Sequence, residues 1–229
     1  NNTTGDDNTA IGYNSLYSNT TGEYNTAVGT YALDAATTAT RNTAVGHNAA
    51  TAITTGIGNV AVGSLAVQEM KGGTDNVGVG SNAGRNTTTG VSNVSVGPDA
   101  GKGLTTGGYN VIMGKDSGET ITTQSNNVII GRSAGESAAA SETVLIGYEA
   151  GTNVTGNNTI AIGYQAGYSS DSNGSNVFIG YAAGYEADSA TTSAINNVYI
   201  GQSAGQFLDD GTDNVAIGLN AMSSNSDGA

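Results

Sequence analysis

Residues 42–63 read NTAVGHNAATAITTGIGNVAVG and contain the pattern that decides the fold. The pentapeptide from Asn42 to Gly46 returns 17 residues later as Asn59 to Gly63. Its glycine, which we call the anchor glycine, follows an Asn or Thr, a β-branched residue, a variable residue and an apolar residue. Internal similarity at a short period is the signature of a repeat architecture. The anchor glycines are Gly12, Gly29, Gly46, Gly63, Gly80, Gly97, Gly114, Gly131, Gly147, Gly163, Gly180, Gly201 and Gly218.

The spacing of the anchor glycines predicts one repeat domain over residues 1–229. The first seven spacings are all 17 residues, and the others are 16, 16, 17, 21 and 17. The segments between glycines are short and rich in β-branched residues, Gly and Asn, which disfavours helices. The sequence therefore predicts an all-β parallel β-roll or β-solenoid of thirteen coils, each of about 17 residues.

Residues that lie at the same distance from the anchor glycine in successive coils form what we call a column, and these columns suggest how each coil is built. The first and third residues before it are apolar or β-branched, so we expect this strand face to line the coil interior. The third residue after it is always Ala or Ser, which suits a narrow interior. Asn four residues before it predicts a ladder of amides about 4.8 Å apart along the stack. A glycine seven residues before it, as in Gly22 and Gly56, predicts a corner with positive φ.

The second residue before the anchor glycine is uncharged in all thirteen copies. It lies on the strand face opposite the Val and Ile columns, where a solvent-facing strand would carry polar side chains. We therefore expect this face to contact a neighbouring chain, because its larger members would otherwise form an exposed apolar stripe. The predicted oligomer interface is Ile112, Ile129, Leu145, Phe178 and Tyr199.

Composition disfavours several classes of function. The formal net charge of −13 repels phosphate backbones, so we expect no nucleic-acid partner. No run of 18 apolar residues is present, so we expect no membrane insertion by this segment. The chain has no cysteine and a single histidine, His47. The residues that usually form a catalytic pair of nucleophile and general base are therefore nearly absent. We expect no enzymatic activity and no catalytic residues.

Calcium is the one cofactor for which the sequence offers candidate ligands. Asp171 and Asn173 resemble the opening of an EF-hand loop, and Asp209 with Asp210 forms a second oxygen-rich segment. Asp, Asn and Gly are also the residues that tight corners require, and this second interpretation stays open.

Five tyrosines recur at fixed positions in three consecutive coils. Tyr148, Tyr164 and Tyr181 directly follow their anchor glycines, whereas Tyr168 and Tyr185 lie five residues after theirs. If the strand continues across them, they form one surface stripe that could bind sugar rings or a protein ligand. The alternative is a stabilising tyrosine ladder, because neighbouring aromatic pairs contribute roughly 0.2–1 kcal/mol each.

The pentapeptides Asn8 to Gly12, Asn59 to Gly63 and Asn214 to Gly218 resemble the head repeats of YadA-type trimeric autotransporter adhesins. The stretch from Asn8 to Val28 is also similar to repeats of phage tail-fibre-like proteins. The resemblance implies a left-handed β-roll, a homotrimer, and an extracellular place on a cell surface or virion. It implies a fibre or adhesin segment that presents a stiff multivalent rod to a glycan or protein receptor. The alternative is an extracellular filament subunit that stacks end to end.

Overall fold

The computed structural model describes residues 2–169, 174–186, 194–207 and 211–223. The described residues form thirteen strands of three residues each, and every strand ends directly before an anchor glycine. The strands are β1 Thr9–Ile11, β2 Thr26–Val28, β3 Thr43–Val45, β4 Val60–Val62, β5 Val77–Val79, β6 Val94–Val96, β7 Val111–Met113, β8 Val128–Ile130, β9 Val144–Ile146, β10 Ile160–Ile162, β11 Val177–Ile179, β12 Val198–Ile200 and β13 Val215–Ile217.

The chain divides into two compact units, Asn1–Met113 with β1 to β7 and Gly114–Ala229 with β8 to β13. In each unit every strand pairs in parallel with the next strand along the chain. The pairing keeps equivalent residues opposite one another, as in Val60 with Val77 and Ile160 with Val177. The predicted all-β parallel β-solenoid is confirmed.

The anchor glycine ends each strand because only glycine fits there. At Gly63 φ is +134°, a conformation that L side chains rarely adopt. A Cβ atom at Gly63 would also meet the carbonyl oxygen of Gly80 in the next coil at 2.5 Å. The same two constraints apply to the anchor glycines from Gly12 to Gly80 and from Gly114 to Gly201, so the glycine column is a requirement of close stacking.

The predicted asparagine ladder is present, and it is buried. The side-chain nitrogen of Asn59 donates to the side-chain oxygen of Asn42 at 3.0 Å and to the Gly73 carbonyl at 2.8 Å. Its side-chain oxygen accepts from the backbone N–H of Asn76 at 3.0 Å. In unit 2, Thr143 replaces Asn in this column and its hydroxyl donates to the Asn127 side-chain oxygen at 2.9 Å. The ladder thus supplies partners for buried backbone groups where each strand begins.

The glycines seven residues before the anchor glycine have a different role from the one predicted. Neither Gly22 nor Gly56 has positive φ. A Cβ atom at Gly22 would overlap the carbonyl oxygen of Ala39 and the side chain of Asn19. The corner therefore needs glycine for a close approach between coils, and not for a left-handed backbone.

Two positions of each coil fill its interior from opposite sides, and a small residue at one position accompanies a larger side chain at the other. In unit 1, Ala27 contributes little volume, and the fully buried Leu33, four residues after the anchor glycine, fills the space. Gly78 leaves still more room, and a Cβ atom there would overlap Val67.

In unit 2 the large side chains come from the opposite side of the coil. Leu145 and Phe178 are fully buried, and the residues four after their anchor glycines are Gly151 and Gly184. A Cβ atom at Gly151 would overlap Leu145, and one at Gly184 would overlap Phe178. The interior is thus filled in both units, as close packing requires, but the large side chains come from opposite sides of the coil.

Candidate interaction surfaces

The five residues predicted as an oligomer interface lie inside the coil, so that prediction is wrong. Their side chains are between 0% and 1% exposed in the single chain. The reason is the strand pleat: the middle residue of each three-residue strand faces the interior, and its two neighbours face outward. The residues concerned are Ile112, Ile129, Leu145, Phe178 and Tyr199.

The outward residues of the strands form a surface that we call the outer aliphatic face. In each coil it consists of the first and third residues before the anchor glycine, all of them uncharged. These side chains are partly exposed, for example Val45 at 37%, Val79 at 36% and Met113 at 38%. The prediction that this face lines the interior is therefore also wrong, because the interior holds the middle residues instead. Within unit 2 the face is Val128, Ile130, Val144, Ile146, Ile160, Ile162, Val177, Ile179, Val198, Ile200, Val215 and Ile217.

A signal in the sequence could have assigned the two faces correctly. Wherever the middle strand residue is Ile, Leu, Phe or Tyr, the residue four after the anchor glycine is Gly, as in Leu145 with Gly151. Where that residue is Leu or Val, as in Leu33 and Val67, the middle residue is Ala. Such compensation of volume is expected only between side chains that share one enclosed space.

The five tyrosines form two ring stacks in unit 2. The ring centroids of Tyr148 and Tyr164 are 5.2 Å apart, and those of Tyr164 and Tyr181 are 4.9 Å apart with planes only 4° from parallel. Tyr168 and Tyr185 form the second stack, with centroids 5.0 Å apart. The predicted stabilising ladder is thus present, and it leaves Tyr164 42% and Tyr181 54% exposed.

Three polar side chains that the sequence did not single out complete this surface. The guanidinium of Arg132 lies 5.4 Å from the centre of the Tyr148 ring. The side-chain nitrogen of Gln165 donates to the Glu149 carboxylate at 2.7 Å. A hydrogen bond to Glu149 is the main cause that raises the pKa of Tyr148, followed by burial. We call these three residues and the five tyrosines the tyrosine surface.

The two stacks lie close enough to influence each other. Burial is the main cause that raises the pKa of Tyr185, and charge interactions with Tyr168, Glu186, Glu149 and Tyr164 add to it. Tyr164 belongs to the first stack and Tyr185 to the second. Tyr164 of the first stack and the Glu149 carboxylate are therefore near enough to Tyr185 of the second stack for their charges to interact.

The candidate calcium ligands Asp171, Asn173, Asp209 and Asp210 lie outside the described residues. Within the described part of the chain, no three His, Cys, Asp or Glu side chains come together as metal ligands. His47 is exposed in the column after the anchor glycine, between Thr30 and Ser64 in the neighbouring coils.

No helix in residues 2–169, 174–186, 194–207 and 211–223 is long and apolar enough to cross a membrane. No protein-family model matches the sequence, and neither the curated proteins nor the solved structures give a match.

Proposed function

We propose that this chain is a non-enzymatic segment of an extracellular fibre, in which several copies pack together through their outer aliphatic faces and attach to a surface. The observation that carries the proposal is the partial exposure of Val and Ile side chains along the outward side of the strands. A strand face that contacts only water normally carries polar or charged residues, and here neither outward column carries a charge.

The partner that fits this face is a second copy of the chain. Contiguous exposed apolar patches larger than a few hundred Å² are rare on monomeric proteins and mark interaction sites. Strands of one unit stack in register, so their outward side chains form straight rows that equivalent rows can pack against. Identical chains carry identical faces, which permits closed symmetric assemblies. The resemblance to trimeric adhesin heads favours three copies.

Surface attachment follows from repetition within the assembly. Several copies held together present each weak binding site several times, and this raises the overall affinity without any new contact. The resemblance to adhesin and tail-fibre repeats supports a place on a cell surface or virion.

Particle mass in solution, measured by light scattering during size-exclusion chromatography, tests the proposal. The double variant Val45→Lys and Val79→Lys puts two charges on the outer aliphatic face, where a monomer can accommodate them because both side chains already reach solvent. We expect the unchanged chain to elute as a discrete oligomer and the double variant as a monomer with the same circular dichroism spectrum. Thr89→Lys adds a charge at an exposed corner instead, and we expect it to keep the mass of the oligomer.

A monomeric unchanged chain would refute the proposal. A particle mass that keeps rising with protein concentration, in the double variant as well as in the unchanged chain, would also contradict the proposal. That result would favour the end-to-end filament.

A further inference from the structure

We propose that the tyrosine surface of unit 2 binds a neutral glycan chain through its phenol hydroxyls and ring edges. The inference rests on the attachment function proposed above, since it names the chemical class of the receptor. The site uses different residues from those of the outer aliphatic face, so substitutions can test each surface without changing the other.

The tyrosines are held in place by the backbone ladder of the coils. The carbonyl oxygen of Tyr148 accepts from the N–H of Gln165 at 2.9 Å, and that of Tyr164 accepts from Ala182 at 2.8 Å. The Tyr185 carbonyl accepts in the same way from Ser169 at 2.9 Å. Because the backbone and the stacked rings are both ordered before a ligand arrives, binding loses little conformational entropy.

The stacking decides which part of each ring a ligand can reach. The face of Tyr164 is covered on one side by Tyr148 and on the other by Tyr181, and Arg132 lies over Tyr148. The surface therefore offers hydroxyl groups and ring edges, and ring edges carry partial positive charge that attracts oxygen atoms. The ring centroids repeat about every 5 Å along the stack, which is the spacing of the coils.

The charges disfavour an anionic ligand, and the polar groups suit a ligand rich in hydroxyl groups. The chain as a whole carries −13, and on this surface the positive Arg132 accompanies the negative Glu149, with the negative Glu186 near Tyr185. Phenol hydroxyls both donate and accept, whereas the Glu149 carboxylate only accepts. A glycan chain matches this set, because its hydroxyls also donate and accept and its ring oxygens accept. An anionic polymer would be repelled by the net charge of the chain.

A printed panel of neutral polysaccharides, acidic polysaccharides and cationic peptides tests the proposal on the full chain. The neutral arm contains glucans, mannans, galactans and chitin oligosaccharides. We expect at least one neutral glycan to bind, and we expect the double variant Tyr164→Phe and Tyr181→Phe to weaken that binding about 30-fold, because it removes two hydroxyl hydrogen bonds. Phenylalanine keeps the stacked rings, so this variant is expected to fold.

The matched control is the double variant Tyr13→Phe and Tyr17→Phe, which changes two exposed tyrosines of unit 1 and is expected to bind as the unchanged chain does. Three results would overturn the proposal: no neutral glycan binds, the Tyr164 and Tyr181 variant binds normally, or only the acidic or peptide arm depends on these tyrosines. Oligomer mass, recorded for every variant, separates loss of the glycan site from loss of assembly.

Discussion

The compensation of core volume gives a prediction in which two harmful substitutions correct each other. Leu145 is fully buried and fills the space that Gly151 leaves open. Leu145→Ala should cost about 3 kcal/mol in the free energy of unfolding, because a buried side chain is lost and a cavity remains. Gly151→Leu alone should cost about 3 kcal/mol, from overlap with Leu145 and from a side chain placed at φ +60°.

The double variant recreates the arrangement of Ala27 and Leu33 in unit 1, where Leu33 has φ 50°. If the two costs were independent, the double variant would lose about 6 kcal/mol. We expect it to lose at least about 2 kcal/mol less than that sum, because each change removes the damage done by the other. Urea unfolding followed by circular dichroism, at one protein concentration, measures all four free energies. Additive costs would refute the assignment of the middle strand residues to the coil interior.

Two further predictions concern buried polar groups. Asn59→Ala should lower the free energy of unfolding by about 2–4 kcal/mol, because it leaves the Gly73 carbonyl and the Asn76 N–H without their side-chain partner. Asn59→Thr should lower it less, because Thr143 fills the same position in unit 2. Equal losses for the two variants in urea unfolding would contradict the ladder. Burial raises the pKa of Tyr199 to about 12. The contribution of Tyr199 to the free energy of unfolding is therefore fully present below about pH 10, the usual pKa of tyrosine, and is lost as the pH rises towards 12, at up to about 1.4 kcal/mol per pH unit. Tyr199→Phe should reduce this decline between pH 10 and 12, and an unchanged decline would show that the hydroxyl titrates equally in both states.

The period of the anchor glycines sufficed to predict the coils, because Gly at φ near +135° and Asn in the ladder are needed in nearly every coil. The assignment of the faces failed for a physical reason. Recurring Val and Ile suggest a core, but here the interior is filled by the middle strand residues and by the residues four after the anchor glycine. Ala or Gly at one of these positions makes room for a large side chain at the other, and the β-branched residues on either side of the middle residue face outward. Sequence spacing placed Tyr148 and Tyr164 in one column, whereas the contacts of Tyr148 with Arg132 and Glu149 depend on side-chain directions that spacing does not specify.

The proposal that copies meet through the outer aliphatic face is tested most directly by thiol protection. The chain has no cysteine, so Val79→Cys and Thr89→Cys each introduce a single reactive group. In a single chain Val79 is 36% exposed, so its thiol should react readily when the protein is dilute. We predict that raising the protein concentration slows labelling at position 79 and leaves position 89 unchanged, because assembly covers only the first. Labelling rates at both positions that do not depend on concentration would contradict the account.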